Sequence, residues 1–134
     1  DRPPLRNREA VQCRVRGRRK IPALEPFAFR AEETDHCETP TNAYRDVAGI
    51  LGEIGQVLRP EEPWKQACAN LQIYDPYYCQ GGTKRRLGKL GFDHVHNENE
   101  DFYVVAKSEN VTAFDVLVTN PPFSDAEHVT FALD

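Results

Sequence analysis

Apolar residues recur at steps of three and four along the stretch that follows Pro40. The main series is Tyr44, Val47, Leu51, Ile54 and Leu58, and Ile50 and Val57 stand beside it. This spacing places the apolar side chains on one face and predicts an amphipathic helix. Thr39 is expected to cap that helix with Pro40 in its first turn, and Pro60 and Pro63 are expected to end it.

Shorter patterns further along the chain alternate between strands and helices. Strands are predicted at residues 71–75, 94–97, 102–106 and 114–119, the last of them fully buried. Helices are predicted at 64–69, from the Gly81-Gly82 pair to a left-handed cap at Gly91, and from a capping box at 124–127. Such alternation predicts an α/β fold with about four strands in a mostly parallel sheet.

The first 34 residues differ from the rest of the chain. They have no steady periodicity and contain several prolines, which predicts an extended arm at 1–34 before a folded domain at 35–134. Residues 1–30 hold nine Lys and Arg against three acidic residues, a net charge of +6, whereas the whole chain has a net charge of -4. Basic arms often contact nucleic acid or acidic partner surfaces. A solvated or cleaved leader, or an organelle-targeting segment carrying Arg14, Arg16, Arg18 and Arg19, remains an open alternative.

Other chemistry is sparse. The four cysteines, Cys13, Cys37, Cys68 and Cys79, have no metal-ligand spacing, so we expect reduced thiols in an intracellular chain and no metal site. His94 and His96 share one face of a predicted strand without a Cys or carboxylate pattern that would complete a zinc site. No apolar run approaches the roughly 18 residues of a membrane span, so we expect no membrane insertion.

One segment carries specific chemistry. Residues 115–123 read DVLVTNPPF, a buried strand that leads directly into Asn-Pro-Pro-Phe and then into a helix cap. Ligands of open α/β sheets lie beyond the carboxyl ends of the strands. There the Asn120 side-chain oxygen and the Pro121 carbonyl are able to accept hydrogen bonds from an amino group. Two acceptors free the nitrogen lone pair for attack, and Phe123 is able to stack on a base.

This segment resembles the catalytic motif of S-adenosyl-L-methionine-dependent amino-methyltransferases, most closely those that methylate adenine. The resemblance implies a Rossmann-like methyltransferase fold and an adenine of RNA or DNA as the acceptor. It also implies that Asn120, Pro121, Pro122 and Phe123 form the catalytic motif.

Three further segments follow in the order of that family. LQIYDPYYCQGG at 71–82 resembles the first cofactor loop, although Tyr77 to Gln80 replace the usual alternating small residues. Thr39-Pro40 resembles the motif that contacts the methionine part of the cofactor. Glu98 or Glu100 is placed to hold the ribose, and Asp101-Phe102 resembles the pair that binds the cofactor's adenine. The cofactor residues implied are Thr39, Pro40, Asp75, Pro76, Gly81, Gly82, Glu98, Asp101 and Phe102.

The resemblance spans about residues 35–134 and corresponds to the front part of such a domain, so we expect a partner chain to complete the sheet. About 45 residues separate Asp75 from Asn120, too few for two full crossovers, so one element is expected to be short or missing. Two functions remain open. One is an active methyltransferase domain, and the other is an inactive, methyltransferase-like structural subunit of a large assembly such as an organellar ribosome or a respiratory complex.

Overall fold

The computed structural model describes residues 38–121 and 130–131. It has an α/β fold in which a small parallel sheet of three strands is flanked by helices. The helices are α1 (Thr41–Leu58), α2 (Trp64–Asn70), α3 (Gly82–Lys89) and α4 (Phe102–Lys107), and the strands are β1 (Gln72–Tyr74), β2 (His94–His96) and β3 (Val116–Leu117). The predicted α/β class and parallel sheet are confirmed.

Strand β1 lies at the centre of the sheet, between β2 and β3. Both pairings are parallel, with Ile73 opposite Val95 on one side and opposite Val116 on the other. All three strands therefore end at the same edge of the sheet, and the loops that follow β1 and β3 are neighbours there.

The first helix packs against the second through glycines. An added Cβ on Gly55 would lie 2.8 Å from the Ala67 backbone oxygen, and one on Gly52 would overlap the Trp64 ring. The helix begins one residue later than predicted, because Pro40 occupies the cap position with an extended backbone and no side-chain cap bond. The prediction that Thr39 caps α1 is therefore wrong, and Thr39 lies outside the helix.

The core lies where α1, α2 and α3 meet one face of the sheet. Its buried members are Tyr44, Leu51, Cys68, Leu71, Ile73, Leu87, Phe92 and Val95. Since side chains alternate across a strand, Tyr74 and His96 emerge on the opposite face. There Tyr74 packs against the rings of His96, Phe102 and Phe114, at centroid distances of 5.4, 6.3 and 5.3 Å.

Two predicted strands need correction. Residues 102–106 form helix α4, because the Asp101 carboxylate accepts hydrogen bonds from the N–H groups of Tyr103 and Val104 and caps a helix there. The apolar run at 114–119 contains only a two-residue strand, β3 is half-buried and not fully buried, and among the described residues β3 pairs on one side only. The described residues thus hold three strands where about four were predicted.

The remaining predicted elements agree with the structure where it describes them. Helix α2, strand β1 and strand β2 lie within one or two residues of their predicted bounds, and Gly91 has the predicted left-handed conformation with φ 96°. The crossovers are short, since α4 has six residues. The arm at 1–34 and the capping box at 124–127 lie outside the described residues, and Thr130 and Phe131 are helical.

Candidate functional site

A small cavity of about 10 Å³, with room for about one water molecule, lies at the carboxyl ends of β1 and β3. It is lined by Glu38, Thr39, Asp75, Tyr77, Cys79, Thr83 and Asn120. Three of these residues, Thr39, Asp75 and Asn120, belong to three different predicted motifs. They meet because β1 and β3 are parallel neighbours and because the segment before α1 reaches the same edge of the sheet.

Asp75 is the buried polar centre of this cavity, with 5% of its surface exposed. Its Oδ2 accepts a hydrogen bond from the Thr83 hydroxyl at 2.7 Å, and its Oδ1 accepts one from the Tyr77 N–H at 3.3 Å. The Tyr44 hydroxyl lies 2.8 Å from the Thr83 oxygen, and because Thr83 gives its single proton to Asp75, Tyr44 must be the donor of that bond. A chain of three polar groups therefore connects α1, α3 and β1.

Burial raises the pKa of Asp75 to about 6, and the hydrogen bonds from Thr83 and the Tyr77 N–H lower that pKa in part. The carboxyl group therefore ionises close to neutral pH. Burial also raises the pKa of Tyr44 and of Tyr77. Both phenols stay protonated at neutral pH and remain hydrogen-bond donors.

The glycine turn that follows β1 opens helix α3, as predicted. Gly81 has a left-handed backbone with φ 72°, which a residue without a Cβ adopts at no steric cost. An added Cβ there would lie 2.9 Å from the Tyr78 ring. An added Cβ on Gly82 would lie 2.6 Å from the Glu38 Oε1 atom. Both glycines thus permit close approach by side chains of this same protein.

Glu38 is a cavity residue that the sequence motifs did not indicate. Its Oε1 accepts a hydrogen bond from the Gly82 N–H at 3.0 Å, and its Oε2 lies 2.8 Å from the Arg86 guanidinium. Glu38 and Gly82 are 44 residues apart in the sequence, so no local sequence pattern indicates their contact. Only its position directly before the Thr39-Pro40 pair could have drawn attention to it.

Asn97 is a second residue that sequence reasoning missed. It is 2% exposed and lies one residue after β2. Its side-chain amide donates to the carbonyl oxygens of Asp75 at 3.2 Å and Tyr77 at 3.3 Å. Among the described residues its own oxygen has no hydrogen-bond partner. Asn97 therefore fixes the backbone of the loop that carries Asp75 and Tyr77.

The Asn-Pro-Pro-Phe motif is described in part. Asn120 is exposed and lines the cavity, and Pro121 follows it half-buried. Pro122 and Phe123 lie outside the described residues.

Other predicted cofactor residues lie outside the cavity lining. Glu98 forms an ion pair with Lys84 on the surface, and Asp101 caps α4. Phe102 packs edge-on against Tyr77, a cavity residue, with ring centroids 5.5 Å apart. Pro40 and Pro76 adjoin the lining residues Thr39, Asp75 and Tyr77 without belonging to the lining themselves.

Glu38 and Asp75 bring two carboxylates to the cavity lining, and each is paired within the chain. Glu38 contacts Arg86 and the Gly82 N–H, and Asp75 accepts hydrogen bonds from Thr83 and the Tyr77 N–H. Within residues 38–121 and 130–131, no group of three His, Cys, Asp or Glu side chains is arranged to hold a metal ion. In the same described part of the chain, no helix is long and apolar enough to cross a membrane.

Comparisons of the chain with protein-family models, with curated proteins and with solved structures give no match in any of the three. What is established is therefore an α/β protein with a small parallel sheet and a polar cavity at its carboxyl edge.

Proposed function

We propose that this chain contains an S-adenosyl-L-methionine-dependent methyltransferase domain that transfers a methyl group to an amino group, with an adenine of RNA or DNA as the acceptor. One observation carries the proposal. Thr39, Asp75 and Asn120 stand in three motifs that are about 35 and 45 residues apart, and all three line one cavity. The order β2-β1-β3 supports a partial Rossmann-like methyltransferase fold, because it makes the cofactor strand and the Asn-Pro-Pro strand neighbours.

The chemistry of the cavity fits the amino-acid end of this cofactor. When bound, the cofactor supplies an electrophilic methyl group on a positively charged sulfur, beside an ammonium group and a carboxylate. Asp75 offers a carboxylate to a cationic group and Thr39 and Thr83 offer hydroxyls, whereas the charge of Glu38 is balanced by Arg86. The cavity volume of about 10 Å³ is far below the roughly 300–1,000 Å³ of sites that enclose a ligand of drug size. In this proposal the methionine part would therefore bind at this lining only once the glycine turn opens, and the nucleoside part would lie toward Glu98, Asp101 and Phe102.

The proposed role of Asn120 is to activate the acceptor amine. Its side-chain oxygen and the Pro121 carbonyl accept the two amine hydrogens, so the nitrogen lone pair leaves the ring system and points at the methyl group. The proton released afterwards passes to solvent, because Asn120 is exposed. An exposed acceptor position suits a group on a nucleic acid, which is brought to the surface by flipping.

Isothermal titration calorimetry of the full chain with S-adenosyl-L-methionine tests the cofactor site, and labelled methyl transfer to adenine-containing RNA and DNA oligonucleotides tests the reaction. Asn120→Ala is expected to keep cofactor affinity and to lose methyl transfer by about 100-fold or more, since one preorganised acceptor is removed. Asn110→Ala, at an exposed position ahead of β3, is the matched control and should retain activity. Absence of binding at millimolar cofactor, or normal methylation by Asn120→Ala, overturns the proposal.

A second candidate function is supported by the glycine turn. Tyr78 and Glu38 lie against Gly81 and Gly82, where the resemblance places the cofactor. In this candidate the domain is an inactive structural subunit of a large assembly, such as an organellar ribosome or a respiratory complex. Failure of the calorimetric titration, together with an unchanged thermal transition in the presence of cofactor, favours it over the enzyme.

Both candidates include a partner chain that completes the sheet. Strand β3 pairs with β1 on one side and is only half-buried. Within residues 38–121 and 130–131 no strand pairs with the outer edge of β3, and such an edge with half-buried apolar side chains favours association. The isolated chain is therefore expected to associate with itself, and a chain that stays monomeric at high concentration in sedimentation velocity would contradict a partner.

A further inference from the structure

Arg86 contacts the cavity wall without lining the cavity. It lies on α3, and its guanidinium reaches back to the segment before α1. One nitrogen lies 2.8 Å from the Glu38 Oε2 atom, and another donates to the Thr39 carbonyl oxygen at 2.9 Å. The side chains of Arg86 and Glu38 are only 20% and 18% exposed, so solvent and salt screen this pair less than a surface pair.

The Glu38 carboxylate extends the same network to the glycine turn. While Oε2 faces Arg86, Oε1 accepts the Gly82 N–H at 3.0 Å. Glu38 and Thr39 both line the cavity. Arg86 thus fixes two consecutive wall residues, one through its side chain and one through its backbone, against the first turn of α3.

The Tyr44–Thr83–Asp75 chain is a separate link, which joins helix α1 itself to α3. Its two hydrogen bonds, of 2.8 and 2.7 Å, hold the body of α1 to α3 and β1. That chain fixes α1 from Tyr44 onward, whereas the Arg86 contacts act on residues 38 and 39, ahead of the helix. The two links therefore hold different segments. Loss of Arg86 is expected to free the segment before α1, while the Tyr44 link keeps the helix in place.

We propose that Arg86 is a positioning residue of the proposed cofactor site, whose forked guanidinium holds Glu38 and Thr39 at a fixed distance from Gly82. The expected effect of Arg86 on cofactor binding rests on the proposed function. The fixing of Glu38 and Thr39 by Arg86 does not. The planar guanidinium donates to a carboxylate and a carbonyl at once, and a lysine ammonium on a flexible stem is a poor replacement.

The test compares Arg86→Lys with Arg85→Lys in the full chain. Arg85 is the adjacent residue on α3 and is exposed, so the control makes the same chemical change on the same helix. Hydrogen exchange followed by mass spectrometry is expected to accelerate in Arg86→Lys for peptides that contain the Gly82 amide, which donates to Glu38, and to stay unchanged for α2. The affinity for S-adenosyl-L-methionine is expected to fall about tenfold, because a tenfold change in binding corresponds to the loss of one charge-assisted hydrogen bond. Arg85→Lys should show neither effect.

Arg86→Gln provides a second variant that removes the charge as well as the fork. If charge alone mattered, Arg86→Lys would behave like the wild type and only Arg86→Gln would be affected, and that result overturns the proposal. Unchanged exchange of the Gly82 amide in both Arg86 variants also overturns it. If the wild-type chain does not bind the cofactor but the Gly82 amide exchanges faster in both variants, the positioning of Glu38 by Arg86 is supported and the proposed function fails.

Discussion

Asp75 is a residue whose burial opposes its ionisation. It is almost fully buried, and its pKa is raised to about 6 from the ordinary value of 3.8. Below pH 3.8 the group is protonated in both the folded and the unfolded chain, so it does not affect the pH dependence of folding. Between about 3.8 and 6 the unfolded chain loses the proton first, and the free energy of unfolding falls as the pH rises. Above pH 6 the full penalty of the buried charge is present.

Asp75→Asn is expected to remove this penalty. A shift of about two pKa units corresponds to about 3 kcal/mol, so the substitution should stabilise the protein by up to that amount more at pH 8 than at pH 4. The measurement is the free energy of unfolding in urea at both pH values, with Asp93→Asn at an exposed position as the control. A gain in stability equal at the two pH values would show that the buried charge is not its cause.

At the scale of elements, helices α1 and α2 approach each other so closely that their backbones are in contact. Gly55 on α1 lies so close to the Ala67 oxygen on α2 that no Cβ fits between them, whereas Gly49, also on α1, has open space around it. An alanine at position 55 would therefore clash with the backbone of α2, whereas an alanine at position 49 of the same helix would have free space around it.

Gly55→Ala is expected to destabilise the protein by roughly 1–3 kcal/mol, because α2 must move away from α1. Gly49→Ala is expected to stabilise it by about 0.5–1 kcal/mol, since alanine loses less backbone entropy in a helix. Urea unfolding of the two variants measures both effects. Equal changes in the two would mean that α1 and α2 are not in contact at Gly55.

The sequence predicts the elements with strong periodicity and misses those decided by single contacts. Helix α1 and strands β1 and β2 follow from the spacing of their apolar residues. The run Phe102-Tyr103-Val104-Val105 has the composition of a strand, yet one capping carboxylate at Asp101 makes it a helix. In the cavity, Thr39, Asp75 and Asn120 were predicted from motifs, but the contact of Glu38 with Gly82 joins positions too distant in sequence for any local signal.

At the scale of the whole molecule, charge divides the chain. The first 30 residues have a net charge of +6, and the remainder is acidic enough to bring the total to -4. An acidic domain repels phosphates, so the proposed nucleic-acid substrate needs the arm to supply the attraction.

Replacement of Arg14, Arg16, Arg18 and Arg19 by glutamine in the full chain is expected to weaken binding to single-stranded RNA and to flatten its salt dependence. Each lost phosphate contact reduces the slope of log affinity against log salt by about 0.7, so four contacts account for up to about 3. Fluorescence anisotropy from 50 to 200 mM salt measures the slope. An unchanged slope would place the phosphate contacts elsewhere on the chain.

The packing of Trp64 has a practical consequence. It is the single tryptophan of the chain, its ring contacts Gly52 of the first helix with 46% of its surface exposed, and it is not part of the cavity lining. Its fluorescence is therefore expected to change when the first two helices separate during denaturation and to stay unchanged when a ligand enters the cavity. One intrinsic optical signal thus distinguishes loss of the scaffold from occupation of the site, without any added label.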